Sequence, residues 1–320
     1  MKALVVVERQ PEGVDELSLQ ALAFARVLAA EVHALVVEEG GTDLAALLGA
    51  HGVSHLHVAE HETFTSYTPQ AVARAAVELV EQLSPELALG AGSDRGNEVL
   101  ARVAALLDLP FASNCVEATP GHPLRVTRQR WGGSLLEEAE LGDTPALLTV
   151  APHTVAAAAA DGAVASVETF VATLSNDDLA VRVAEHVQTE TAGVSLADAK
   201  VVVSGGRGTS SAEGFAIIEE LAELLGGAVG CSRAVTMAGW RPHTDQVGQT
   251  GTKISPDVYI ACGISGATQH MAGCKGAKKI LAINTDPDAS IMASADYAVI
   301  GDLHEVVPAV SAALRKARGT

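Results

Sequence analysis

With 320 residues, 48% of them hydrophobic, the chain can bury the cores of two ordinary domains, and aromatics at 3% make those cores layers of small aliphatic side chains. A net charge of −18 at pH 7 argues against nucleic acid as a partner, and no window reaches the run of about 20 apolar residues that a membrane-spanning helix needs. The four cysteines form no CxxC pair, so zinc-ribbon and thioredoxin-type chemistry is unsupported and buried free thiols are expected.

The chain opens on MKALVVVERQ, whose apolar run stops at Glu8. This reads as a first strand and not as a signal peptide, and a cytoplasmic protein without membrane insertion is expected. Strand patterns follow at Ala3–Val7, Val32–Val37, His55–Ala59 and Leu87–Gly90, separated by helical patterns at Leu17–Ala29, Leu44–Leu48, Ala71–Leu83 and Asn97–Leu107. Such alternation predicts βαβ units and a parallel sheet covered on both faces. After Pro110 the texture changes. Arg125–Arg130 and Ser134–Glu140 flank Trp131-Gly132-Gly133 and read as a hairpin added at the sheet edge, before a strand at Leu147–Val150. Residues 186–198 are polar and small and make the best linker.

The second half restarts the alternation with strands at Val201–Ser204, Val258–Cys262, Lys279–Ile283 and Tyr297–Ile300. Helices are expected over Ser211–Leu225, from Ala267 to Gly273, and over Leu303–Arg315. The fold class is therefore α/β: an N-terminal α/β domain with a parallel sheet and an added β-hairpin, then a smaller doubly wound α/β domain. Charge divides at the same place. Residues 1–195 carry 10 Lys and Arg against 27 Asp and Glu; residues 196–320 carry 11 against 12. The nearly neutral half is the better host for an anionic cofactor.

Six polar, glycine-punctuated clusters stand out in that half. Ser204-Gly-Gly-Arg207-Gly leaves a strand and leads to Ser210-Ser-Ala-Glu213, which fits a capping box opening a helix, an arrangement that suits phosphate. An Arg in that turn calls for an anion. Gly230-Cys-Ser232-Arg233 follows an apolar run; Gln246-Val-Gly-Gln-Thr250-Gly offers amides and a hydroxyl to the edge of a heterocycle. Cys262-Gly-Ile-Ser-Gly-Ala-Thr-Gln-His270, Ala282-Ile-Asn284-Thr-Asp-Pro and Ile300-Gly-Asp302-Leu each follow a strand. Five of the six lie at the carboxyl end of an apolar strand, which places one nucleotide-sized ligand along one edge of one sheet.

These motifs, in this order from about Val201 to Pro308, resemble the α subunit of electron-transfer flavoproteins; residues 1–195 resemble it more weakly. The resemblance implies residues 1–190 as a subunit-contact domain and 196–320 as an FAD-binding domain. It implies a heterodimer with a β subunit, passing electrons from flavin dehydrogenases, of the acyl-CoA dehydrogenase type in fatty acid β-oxidation, to an acceptor such as a membrane quinone oxidoreductase. The chain is then an electron carrier rather than a stand-alone catalyst. By motif position, the resemblance puts Arg207 and Ser232 near the FAD phosphates and Arg233 against the flavin ring. Val247, Gly248, Gln249 and Thr250 line the ring, with Thr250 near N5. Ser265, Gly266, Ala267, Thr268, Gln269 and His270 bind ribityl, pyrophosphate and the pyrimidine edge, with His270 near O2. Asn284, Asp302 and Leu303 hold the adenosine end. A cation at Arg233 and a donor at His270 would both stabilise negative charge on reduced flavin. The chain departs from the family in reading Gly251-Thr-Lys, where members often place Lys directly after Gly, and in having Cys231 and Cys274 at positions where small residues are common.

Two other readings compete. An NADH-oxidising, flavin-based electron-bifurcating complex would use nearly the same α chain. A nucleotide (NAD) binding module without a redox role would share the topology but not the Gln-Thr-Gly and Thr-Gln-His clusters. The spacing His51, His55, His57, His61 puts His55 and His57 on one strand face, but no cysteine or carboxylate completes a ligand set, so these are read as surface histidines with no metal assigned. A swivel of residues 196–320 about Ala192-Gly193 is expected.

Overall fold

The computed structural model describes residues 1–10, 13–37, 40–133, 135–160, 162–183 and 194–318, and its contacts divide the chain into two compact units, Met1–Val187 and Gln188–Thr320. Most of the expected linker, and the Ala192-Gly193 hinge within it, lies outside the described residues.

The first unit runs β1 (Lys2–Val7), β2 (Arg9–Gln10), β3 (Gly13–Val14), α1 (Glu16–Leu28), β4 (Glu31–Val37), α2 (Ala45–Gly49), β5 (His55–Glu60), α3 (Pro69–Leu83), β6 (Leu87–Ala91), α4 (Asp94–Leu107), β7 (Phe111–Thr119), β8 (Leu124–Arg130), β9 (Leu135–Leu141), β10 (Ala146–Val150) and β11 (Ser166–Val171). Nine strands form one sheet in the order β11-β5-β4-β1-β6-β10-β7-β8-β9. The pairings are parallel from β11 to β7, and antiparallel only where β8 and β9 add the expected hairpin. Side chains alternate between the faces of a strand. Thus Ala3, Val5 and Val7 of β1 pack in the layer that holds Leu22 of α1 and Leu48 of α2, while Leu4 and Val6 pack with Val77 of α3 and Leu100 of α4. Each fully buried leucine contributes roughly 1.5–3 kcal/mol. Helix ends follow local chemistry. The Asp15 side chain accepts from Leu17 N at 2.8 Å and Ser93 Oγ from Gly96 N at 2.8 Å, while Ser84 and Asp108 end α3 and α4 in left-handed conformation.

Strands β7 and β11 are additions to the sequence reading. The histidine reading needs correction: His57 and His51 are buried, not surface, side chains; His57 stacks on His33 of the neighbouring strand, and the His51 carbonyl accepts from Arg26 Nη1.

The second unit runs β12 (Val201–Gly205), α5 (Ala216–Leu225), β13 (Ala228–Cys231), α6 (Arg233–Met237), β14 (Val258–Cys262), α7 (Thr268–Cys274), β15 (Ile280–Asn284), β16 (Tyr297–Ile300) and α8 (Leu303–Arg318). Its five strands are all parallel, in the order β13-β12-β14-β15-β16. Strand order reverses between β12 and β14, which opens a crevice at their carboxyl ends. The expected helix at Ser211 starts later. Two short 3-10 turns, Arg207–Thr209 and Glu213–Phe215, precede α5. The cap is shifted by one residue from the expected box, with Ser211 Oγ accepting from Gly214 N at 3.2 Å. Helix α6 is also an addition to the sequence reading, and β13 is shorter and later than the apolar run read before Gly230. All four cysteines are free and buried, as expected; burial pushes the Cys115, Cys231 and Cys262 thiols up to about 12 and Cys274 up to about 11, which leaves them unreactive.

Candidate functional site

Because all five strands of the second unit run the same way, the segments that leave their carboxyl ends share one edge. They enclose a cavity of about 590 Å³, within the ~300–1,000 Å³ usual for small-molecule sites. Arg207 and Gly208 come from the turn after β12, and Ser232, Arg233 and Ala234 from the β13–α6 junction. Gln246 to Thr250 form one wall, Gly263 to Ala267 with Gln269 and His270 another, and Asn284 to Asp286, Ala289 and Gly301 to Leu303 close the far end.

Fifteen of the sixteen residues expected from the sequence line this cavity: Arg207, Ser232, Arg233, Val247, Gly248, Gln249, Thr250, Ser265, Gly266, Ala267, Gln269, His270, Asn284, Asp302 and Leu303. Thr268 does not. It is the exposed first residue of α7, and the helical turn there carries its side chain away while His270 is turned inward. The sequence reading gave no individual role to Gly208, Gln246, Gly263, Ile264, Thr285, Asp286 and Gly301, though each lies within one of its six clusters, and it did not include Ala234 and Ala289. Several of these neighbour expected residues in the same loops, which was the available signal.

The glycines after β12 have a different task from the one the sequence suggests. Gly206 N donates to Cys262 O at 2.8 Å and Gly208 N to Gly263 O at 3.2 Å, so these amides are spent on the neighbouring loop. A Cβ on Gly206 would lie 2.2 Å from Gly263 O. The glycines let two loops pack backbone on backbone. Among the described residues, the backbone N–H groups of Ile264, Ser265, Gly266 and Ala267, four consecutive residues of the cavity lining, have no acceptor. Donors of that kind accommodate a phosphate.

Two guanidinium groups, Arg207 and Arg233, face the cavity exposed and without an ion-pair partner among the described residues. Arg241, outside it, is fully engaged by Asp245 and Glu219. Unpaired cations beside free N–H groups call for an anion.

Two networks set the polar groups of the walls. Gln246 is buried; its Oε1 lies 2.7 Å from Thr236 Oγ1 and its Nε2 donates to Thr250 Oγ1 at 3.0 Å. The Thr250 hydroxyl therefore accepts from behind and has its own proton free for the cavity. Behind the other wall, His270 Nε2 lies 2.7 Å from Tyr259 Oη. Complete burial holds the Tyr259 phenol well above its usual value, so it keeps its proton and donates it to Nε2. That places the imidazole proton on Nδ1, a buried atom that makes no hydrogen bond of ordinary geometry among the described residues. Burial pushes His270 down to about 4, with the Val247 carbonyl pulling the other way, so the ring is neutral at pH 7. His270 offers the cavity one donor and no charge.

A family model described as electron transfer flavoprotein FAD-binding domain matches residues 195–275, and one described as electron transfer flavoprotein domain matches residues 3–175. The electron transfer flavoprotein subunit alpha of Syntrophomonas wolfei subsp. wolfei is 35% identical over 314 residues, covering 98% of each chain. The chain belongs to the electron transfer flavoprotein α-subunit family. The subunit alpha of Bacillus subtilis is 34% identical, over 96% of this chain and 95% of its own. Protein FixB of Clostridium saccharobutylicum is 38% identical, over 84% and 81%. The cofactor of this α subunit is FAD, and its role is electron transfer. The cavity fits the cofactor: unpaired cations and free amides suit a pyrophosphate, and the orphaned His270 Nδ1 with the Thr250 hydroxyl suits a heterocycle rich in acceptors. No helix among the described residues is long and apolar enough to cross a membrane.

Proposed function

We propose that this chain, paired with an electron-transfer flavoprotein β subunit in a cytoplasmic heterodimer, carries electrons from flavin dehydrogenases of the acyl-CoA type to an acceptor such as a membrane quinone oxidoreductase. The observation that carries the reading is the cavity itself, which sets two unpaired cations and a run of free N–H donors where an anionic cofactor can be held, with the carboxylates of Asp286 and Asp302 at the far end. Bound FAD supplies the chemistry, taking up and releasing electrons singly. The protein's contribution is binding and electrostatics. Arg207, Ser232 and the amides of residues 264–267 hold the phosphates, while Asn284, Asp302 and Leu303 hold the adenosine end. Thr250, oriented by Gln246, would offer its hydroxyl to the ring, and Arg233, in the same cavity, would set its charge beside it. His270 donates from Nδ1, and Arg233 adds a fixed positive charge, so both favour extra electron density on the ring. Exposed apolar side chains at the hairpin, Trp131, Leu135 and Leu136, give the first unit a surface suited to a partner subunit.

The test is the visible spectrum of the chain co-expressed with its β partner, with nucleotides identified by mass spectrometry after denaturation. One FAD and one AMP per heterodimer, with the flavin reduced by an acyl-CoA dehydrogenase and its substrate, is the expected result. Two FAD, the second reduced by NADH, would replace this reading with the bifurcating one. A protein without flavin would overturn both.

A further inference from the structure

The first unit holds a second cluster of chemistry that the flavin site does not use. In the order β11-β5-β4, register places His33 beside His55 and His57 beside Glu168. Residues two apart share a strand face, so Glu31, His33, His55, His57 and Glu168 project from the same side of the sheet. Glu31 supplies the carboxylate that the histidine spacing lacked. Its Oε1 lies 2.9 Å from His33 Nε2 and 3.7 Å from His55 Nε2, and one ligand atom from each residue lies within 4.8 Å of the others.

We propose that Glu31, His33 and His55 bind one divalent transition-metal ion of the zinc class, with the fourth position open to water. Three arguments carry this. Ligand atoms arranged tetrahedrally at about 2.0–2.1 Å from zinc stand roughly 3.3 Å apart, and the two Glu31 separations bracket that distance. Each ligating ring is also held from behind, as metal-binding imidazoles are. His33 Nδ1 lies 2.9 Å from His57 Nε2, and His55 Nδ1 lies 2.6 Å from Ser166 Oγ.

The third argument is an orphaned atom. Without metal, the 2.9 Å contact to Glu31 puts the His33 proton on Nε2. His33 Nδ1 must then accept from His57 Nε2, which leaves His57 Nδ1 bare. That buried atom has no hydrogen-bond partner among the described residues and sits 3.5 Å from a Glu168 carboxylate oxygen, so two acceptors face each other. Metal on His33 Nε2 moves the proton to Nδ1. The His33 N–H then donates to His57 Nε2, and the His57 N–H on Nδ1 points at Glu168. One bound cation thus turns a frustrated chain into a satisfied one. Lys2, whose charge also reaches Glu31 and His33, faces the cluster and works against the cation. The side chains of Glu31 and His55 are 46% and 45% exposed, which leaves the open position accessible.

The test titrates Zn²⁺ into chelator-treated, flavin-loaded full-length protein by calorimetry, beside Glu31→Gln and His55→Ala. Both positions are half-exposed, so the variants should fold, and flavin content checks this independently. The expected result is one Zn²⁺ per chain, with affinity cut at least tenfold in each variant at unchanged flavin content and lost when the two are combined. A Glu168→Gln variant should weaken binding by a smaller factor through the proton chain. Equal Zn²⁺ binding by wild type and the double variant, or no binding by wild type, would overturn the site and leave the FAD reading untouched.

Discussion

His270 gives the most direct handle on the flavin cavity because its burial has a thermodynamic signature. Its imidazole is pushed down to about 4 from an ordinary 6.5. As pH falls, the unfolded chain takes up this proton first, near 6.5, while the folded chain resists until about 4. The stability contributed by the neutral ring is therefore complete above the unfolded value and is lost as pH falls through this window. At 1.36 kcal/mol per unit the loss amounts to about 3 kcal/mol. The assay is urea unfolding of the flavin-free protein from pH 7 down to about 4. It is followed by Trp240 fluorescence in a Trp131→Phe background, so that only the second unit reports. His270→Gln keeps a polar side chain but cannot titrate, and the carboxylates are common to both proteins. The wild type should lose about 3 kcal/mol more than His270→Gln across the window. Parallel pH profiles would refute the buried neutral imidazole, and with it the assignment of a free Nδ1 donor.

Gly206→Ala should cost at least about 2 kcal/mol and lower flavin content, because its Cβ would lie 2.2 Å from the Gly263 carbonyl oxygen; urea midpoints measure it. Gly226→Ala, at φ +64° with open space around it, should cost only about 1 kcal/mol and spare the flavin. Gln246→Leu should cost about 1–3 kcal/mol, by removing its hydrogen bonds to Thr236 and Thr250, and should shift the flavin midpoint potential. Thr250→Val should shift the potential without that loss of stability, as redox titration would read. Arg207→Gln should weaken FAD about tenfold to a hundredfold in equilibrium dialysis. Arg241→Gln, whose cation is already paired with Asp245 and Glu219, should leave FAD affinity unchanged.

What the sequence by itself determined was the layered α/β plan and the edge that binds the cofactor. Continuous apolar runs such as Ala3–Val7 and Val201–Ser204 mark strands buried on both faces, and glycine-rich polar clusters mark the turns that leave them. An edge strand lacks that signal. The Ser166–Val171 strand is mostly exposed, and its alternation reads as loop until β5 supplies its hydrogen-bond partner. Tertiary structure alone decided which member of each cluster does what. Thr268 and His270 are two residues apart in one motif, yet the start of α7 sends one to solvent and the other into the cavity wall. Gln246 reads as one polar loop residue among several until burial between Thr236 and Thr250 makes it the orienting group. Glu31 lies 24 residues from His55 in the chain and joins it only through the β4–β5 register. Periodicity is a local property, carried by each segment's own side chains. The pairing of donors, cations and rings depends on register and loop packing between segments, and those distances exist only once the sheets have formed.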